Sequence, residues 1–238
     1  MAITVYWAPW GPLEYYANTF LSYKDPIKVL EDLSANNNTQ NKFDNFFKCP
    51  AFINSVKNTY LFTSPSNSDV TFSESNRVFN RLAEPAPYVT GLKAESMTNR
   101  FTIKYDANWI FFCEEPLYVH STPPFMHKSI VTDYGFYVPG TYDISQWFRP
   151  LEYAFQLWDK TAEFKTVQDE PLMYINFLTS EPIKLQKFYM TKEIYDISMS
   201  CIRLKDYRRE KNLFKLYELF KNSKIRTKLL TEIKKNVL

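Results

Sequence analysis

The side chains best suited by type to chemistry fall in residues 111–129, FFCEEPLYVHSTPPFMHKS, which hold Cys113, Glu114, Glu115 and both histidines of the chain, His120 and His127. Two imidazoles and a carboxylate make a mononuclear divalent-metal site, iron included, when neighbouring strands bring them together. His120 and His127 with Glu114, or with Asp133 in its place, would supply that set. The spacing argues against it. There is no His-x-Asp/Glu pair and no third histidine, and Pro123-Pro124 stiffen the link between the two rings. Satisfied or exposed histidines are the plainer account, so no cofactor is expected and a divalent metal is the alternative.

Nucleophilic catalysis meets a similar objection. Cys113 and His120 are close enough in sequence to pair, but Cys113 ends the apolar run Trp109–Cys113. A thiol in such a run is more often a small core side chain. The G-x-S-x-G elbow of serine hydrolases is absent. Adjacent carboxylates such as Glu114-Glu115 would point to opposite faces of a strand, which does not make an acid/base dyad.

A second window, VPGTYDISQWFRPLEYAF (138–155), places Arg149 beside Trp147 and Phe148. A guanidinium next to aromatic rings suits an anion or a partner surface. The plainer account is an arginine that ties a loop to the rim of a barrel. Pro139-Gly140 marks a turn, and Asp143 is placed to cap a short turn ahead of Trp147.

The third candidate is electrostatic. Residues 201–238 carry twelve Lys/Arg against four Asp/Glu, whereas the first 200 residues are net acidic, with seventeen against twenty-two. Arg208, Arg209, Lys211, Lys215, Lys224, Arg226, Lys228, Lys234 and Lys235 sit among helical patterns. Such a surface would bind phosphate backbones without sequence preference, or a protein partner. Solvated helix faces look the same and are commoner.

These candidates must be positioned by elements that the sequence also predicts. MAITVYWAPW suggests a short strand ending at Pro9, and Asp25-Pro26 a helix start with Ile27, Leu30 and Leu33 on one face. Residues 34–41, SANNNTQN, read as an exposed loop. Pro50 opens a short helix through Val56, followed by a strand over Tyr60–Thr63, and 64–99 read as irregular structure around short strands. Phe101, Ile103 and Tyr105 alternate as in a half-buried strand, and Trp109–Cys113 is apolar throughout, as in a strand buried on both faces. Phe136–Val138 and Tyr153–Leu157 are further strand candidates.

Leu172–Leu178 and Ile183–Tyr189, joined by Thr179-Ser180-Glu181-Pro182, predict an antiparallel hairpin. Glu-Pro recurs at 84–85, 115–116, 170–171 and 181–182, where the residue before proline is pushed towards extended geometry. The tail repeats apolar residues at helical spacing three times: Ile194/Ile197/Cys201/Leu204, Leu213/Leu216/Tyr217/Phe220 and Ile225/Leu229/Ile233/Val237. Ser223 is the expected N-cap of the last helix.

Composition narrows the remaining classes. Aromatics are 18% of 238 residues and favour strands, while four glycines leave no G-x-G-x-x-G or P-loop. Three scattered cysteines, Cys49, Cys113 and Cys201, make no disulfide framework or paired-cysteine zinc pattern. No basic segment leads an apolar run near the start, and no 18-residue apolar stretch occurs, so neither a signal sequence nor a membrane span is expected.

The segregated order of elements predicts an α+β, mainly β fold: an antiparallel β-sandwich or jelly-roll-like core with helices at one end. Residues 1–190 form the strand-rich domain, including a mixed segment 1–45, and 191–238 a basic helical segment packed on it.

The strings KCPAF, KNTYLFTSP, FFCEEPL, TPPFMHKS, VPGTYDISQWFRP and EPLMYINF together resemble an uncharacterised protein family encoded by large tailed phages of marine cyanobacteria. The likeness covers most of residues 43–190. That family has no assigned activity, so the resemblance carries over no catalytic residue. It implies a viral origin and an accessory or virion-related role, in the cytoplasm of an infected host cell or on the particle. The preferred expectation is a binding or assembly protein whose partner is a protein or virion component, with no membrane partner. The alternatives are a metal- or small-molecule-dependent enzyme on a β-roll and a nonspecific nucleic-acid binder.

Overall fold

The structure, a computed structural model, describes residues 2–10, 23–24, 49–64, 67–72, 78–80, 89–92, 102–125, 127–158, 163–207 and 213–238. In chain order these form β1 (Ile3–Pro9), β2 (Tyr23–Lys24), α1 (Pro50–Val56), β3 (Thr59–Thr63), β4 (Ser68–Phe72), β5 (Val78–Asn80), β6 (Val89–Leu92) and β7 (Thr102–Cys113). There follow β8 (Tyr118–Thr122), α2 (Val131–Tyr134), β9 (Gly135–Tyr137), β10 (Gly140–Asp143), β11 (Pro150–Leu157), β12 (Glu163–Thr166), β13 (Pro171–Phe177) and β14 (Ile183–Lys187). Helices α3 (Lys192–Tyr207), α4 (Leu213–Lys221) and α5 (Lys224–Lys235) complete the order. The helix expected from Asp25 and the loop at 34–41 lie outside the described residues.

The fold is mixed, mostly β, with helices towards the C-terminus. One sheet runs β14-β1-β7-β11-β9, with β6 also paired to β7; a second runs β10-β8-β13-β3-β2; a third runs β12-β4-β5. The β1–β14 pair is parallel, from Ile3 opposite Ile183 to Trp7 opposite Lys187, which departs from an all-antiparallel pattern.

Strand β7 explains the layering. Two expected strands are one, and its far half is apolar throughout because both faces are covered. Trp109, Phe111 and Cys113 join Val5 and Trp7 against Phe62, Val119, Ile175 and Phe177 of the second sheet. Phe62 lies 4.7 Å from Trp109, and Phe111 lies 5.9 Å from Phe177, between ring centroids. The intervening residues Ile110 and Phe112, with Tyr6 and Ala8, face the other way, onto Ile194, Cys201, Leu216, Phe220, Leu229 and Ile233 of the helices. Alternation of side chains along a strand sends successive residues to these two cores.

The helices therefore cover a face of the first sheet, not one end of the strand-rich core. Each large apolar side chain buried there contributes roughly 1.5–3 kcal/mol, which is the reason the outer face must be covered. The chain after α5 is tied back to the sheet: Leu238 N donates to Lys187 O (3.0 Å) and Tyr189 N to Asn236 O (2.8 Å).

The expected hairpin of 172–178 with 183–189 does not form. β13 lies between β3 and β8 in the second sheet, whereas β14 pairs with β1 in the first. The sequences carry the reason. Leu172 to Ile175 and Phe177 are all buried, as in a central strand, while β14 alternates the apolar Ile183 and Leu185 with the polar Lys184 and Gln186, as at an edge. The connection crosses between sheets and is pinned by Asn58, whose Nδ2 donates to Thr179 O (2.9 Å) and Glu181 O (2.8 Å).

Candidate functional site

The three residues proposed as metal ligands are each engaged elsewhere. His120, on β8, pairs its Nδ1 with Thr141 Oγ1 of β10 at 2.6 Å. His127 follows the Pro123-Pro124 turn and pairs its Nδ1 with the Tyr174 hydroxyl of β13. Glu114 lies just past β7 and accepts from Lys234 Nζ of α5 at 2.6 Å. Asp133 is exposed on α2. Among the described residues no three His, Cys, Asp or Glu side chains converge as an ion site. The expected triad of His120, His127 and Glu114 is thus not assembled, because strand direction sends His120 to β10 while the salt bridge draws Glu114 to the helical layer.

Two of the three thiols are buried. Cys113 points into the core between the sheets, where burial pushes its pKa up to about 11. Cys201, on the buried face of α3, is likewise raised by burial to about 11. A thiol at those values is protonated near neutrality and is a poor nucleophile.

The second window does build a concave site. The Pro139-Gly140 turn leads into β10, and Asp143 then caps the turn ahead of Trp147, as expected. Its Oδ1 accepts from Ser145 N (2.8 Å) and Ser145 Oγ (2.6 Å), and its Oδ2 from Gln146 Nε2 (2.6 Å). This turn swings Trp147 and Arg149 back towards the start of β11. A cleft of about 220 Å³ opens there, walled by Phe111, Tyr137, Tyr142, Trp147, Arg149 and, from α4, Tyr217. The Trp147 ring stands 5.1 Å from Tyr217 and 5.8 Å from Phe220.

Trp147 is 5% exposed, and its indole N–H meets no acceptor among the described residues. An unmet buried donor costs roughly 1–3 kcal/mol. Asp143, the carboxylate in this wall, has both oxygens occupied by the turn. Burial holds the Tyr137 hydroxyl above its ordinary pKa, opposed by its hydrogen bond with the Ser121 side chain, so it remains neutral.

Sequence reasoning found Trp147 and Arg149, and the structure brings them together. It missed Tyr137, Tyr142 and Tyr217. Tyr217 was counted among the apolar positions of α4, and its hydroxyl gave no pattern that would mark a pocket. Arg226, read as part of a basic surface, instead ties α5 to the sheet. Its Nε donates to Ser145 O (3.0 Å), its Nη2 donates to Glu114 O, and its guanidinium lies 5.7 Å from the Phe112 ring centroid.

Much of the remaining positive charge is paired. Lys228 contacts Glu193 (2.5 Å), Lys234 contacts Glu114 (2.6 Å) and Lys235 contacts Glu232 (2.7 Å). The hydrogen bond to Glu193 raises the Lys228 pKa, and that to Glu114 raises Lys234. Arg208, Arg209 and Lys211 lie outside the described residues. Among the described residues no helix is long and apolar enough to cross a membrane. Comparison with protein-family models, curated proteins and solved structures found no match.

Proposed function

We propose that this protein is a phage-encoded accessory or assembly protein that acts by binding, with the cleft beside Arg149 as its recognition site. The observation that carries the reading is an aromatic cleft with Arg149 in its wall, closed jointly by the sheet and by α4. The sequence likeness over residues 43–190 supports a viral origin, and with it a place in the cytoplasm of the infected host cell or on the virion. The partner class is a protein or virion component. Two facing sheets support a jelly-roll-like sandwich as the scaffold.

The enzyme alternative would need His120, His127 and Glu114 on one ion, and each has a different partner. The nucleic-acid alternative would draw on lysines that are largely ion-paired along α5.

The test uses the tagged full-length chain expressed in infected cells. A virion protein should co-purify with the natural chain in near-stoichiometric amount, and be lost when Arg149→Ala and Tyr217→Ala are combined. Equal recovery from both chains, or recovery of no virion protein, sinks the reading.

A further inference from the structure

We infer that the helical layer carries a docking groove for an acidic amphipathic helix of a partner protein, with Leu204 of α3, Leu219 of α4 and Ile225 of α5 as its apolar rim. This is a second surface. It adjoins the Arg149 cleft at Trp147, which lines both, and it stands whether or not the cleft recognises a partner.

Exposed apolar side chains gather here. The buried faces of the three helices are spent on the sheet through Ile194, Cys201, Leu216, Phe220, Leu229 and Ile233. Leu204, Leu219 and Ile225 are left outside, 37%, 62% and 53% exposed, yet all three wall one groove of about 250 Å³ over Cys201, Leu216 and Phe220. Large aliphatic side chains scattered singly over a surface are ordinary, whereas three from three helices around one hollow mark an interaction site. Through Ile197, Ser200 and Ile225 the groove continues to the ion pairs Lys228–Glu193 and Lys192–Asp196, both at 2.5 Å.

The walls offer side-chain sockets and no backbone to pair with. Apart from Trp147, they come from α3, α4, α5 and the Ser223 cap. Helices satisfy their own backbone, so the groove has no ladder to extend to an added strand. Its hydroxyls are engaged as well. Ser200 Oγ donates to Asp196 O (2.8 Å), while Ser223 Oγ donates to Phe220 O (2.7 Å) and accepts from Arg226 N (3.3 Å). The groove therefore suits apolar side chains from a segment that satisfies its own backbone. A helix presents such a stripe at i, i+3, i+4 and i+7.

Charge selects the kind of helix. Arg203 beside Leu204, Lys215 one turn before Leu219 and Lys224 beside Ile225 are exposed and make no ion pair among the described residues. Helix α4 carries Lys215 and Lys221 against Glu218. Asp and Glu flanking the partner's apolar stripe complement that rim. Two copies meeting face to face here would set cation against cation, which disfavours a second copy as the occupant.

The test uses the purified full-length protein and fluorescence anisotropy of labelled helical peptides of about 18 residues, or five helical turns. One peptide carries a leucine stripe flanked by glutamates, one the same stripe flanked by lysines, and one the glutamate composition scrambled so that no stripe forms. The first should bind about tenfold or more tightly than either control, because opposite charge and a continuous apolar face are both required. Leu219→Gln with Ile225→Gln should weaken it about tenfold or more, since two large side chains lose their burial. Lys215→Glu with Lys224→Glu should bring the lysine peptide level with it.

The peptide comparison needs no variant, so it stands even if an altered chain fails to fold. A lysine or scrambled peptide that binds as tightly as the first overturns the proposal, as does binding of none. A dimer of the protein alone in sedimentation, broken by Leu219→Gln with Ile225→Gln, would make a second copy the occupant and overturn it too. Binding to phosphatidylserine–phosphatidylcholine vesicles that the same change abolishes, with no peptide bound, would assign the groove to a membrane and overturn it equally.

Discussion

Cys113 and Cys201 are buried and held near 11, while Cys49 is exposed at the start of α1. Only the thiolate reacts with a disulfide reagent, and only where the reagent can reach it. One thiol per chain should therefore titrate rapidly in the native protein at pH 8, and three after denaturation. Rapid native reaction at Cys113 would contradict its place between the sheets. His127 gives a pH signature of its own. Burial lowers its pKa below the ordinary value of 6.5. Between those two values the unfolded chain binds a proton that the folded chain refuses. Its contribution to stability is therefore intact above pH 6.5 and shrinks as the pH falls through that window. Urea midpoints should drop between pH 7 and pH 5.5, and His127→Gln should flatten that drop relative to the natural chain. An unchanged slope would mean that the ring is not buried as described.

The elements show where sequence pattern was sufficient. Helix α1 runs from Pro50 to Val56 as its proline signal predicts, and Ser223 caps α5, its hydroxyl accepting from Arg226 N at 3.3 Å. Both are local signals that a few consecutive residues carry. Strand β9 shows the opposite. Nothing near Gly135 in the sequence predicts its importance, because the atom it would strike belongs to another strand. A Cβ at Gly135 would lie 2.1 Å from the backbone oxygen of Gln156 and 2.6 Å from the Phe155 ring. Its backbone is extended, so the constraint is space alone. Gly135→Ala should push β9 off β11 and cost about 1–3 kcal/mol in urea denaturation, the usual range for overpacking. A loss under half a kcal/mol, on the order of a neutral surface change, would show that the strands yield easily there. The hairpin expected at 172–189 failed for a related reason. A short connection permits pairing but does not require it, and β13 already had a partner on each side.

At the scale of the molecule, the helical layer and the sheet stand or fall together. Tyr6, Ile110, Phe112, Phe148 and Phe188 are covered by α3, α4 and α5. A chain ended at residue 190 should expose that face, bind a hydrophobic dye strongly and aggregate. A soluble, cooperatively folding 1–190 fragment would overturn the shared core. The same layer supplies Tyr217 to the cleft, so the recognition site is expected to be lost with it. The amino-acid sequence alone determined α1, the three C-terminal helices, several of the strands, the basic helical end, and the placing of Arg149 beside Trp147 near a turn. Those follow from period, proline, caps and neighbours within a few residues, which act before any tertiary contact is made. Tertiary structure alone decided that β13 and β14 belong to different sheets, that Glu114 serves Lys234, and that Tyr217 closes the cleft. Each of these joins residues far apart in the chain. Such contacts are selected by which faces remain to be covered once the sheets have formed, and local sequence does not record that choice.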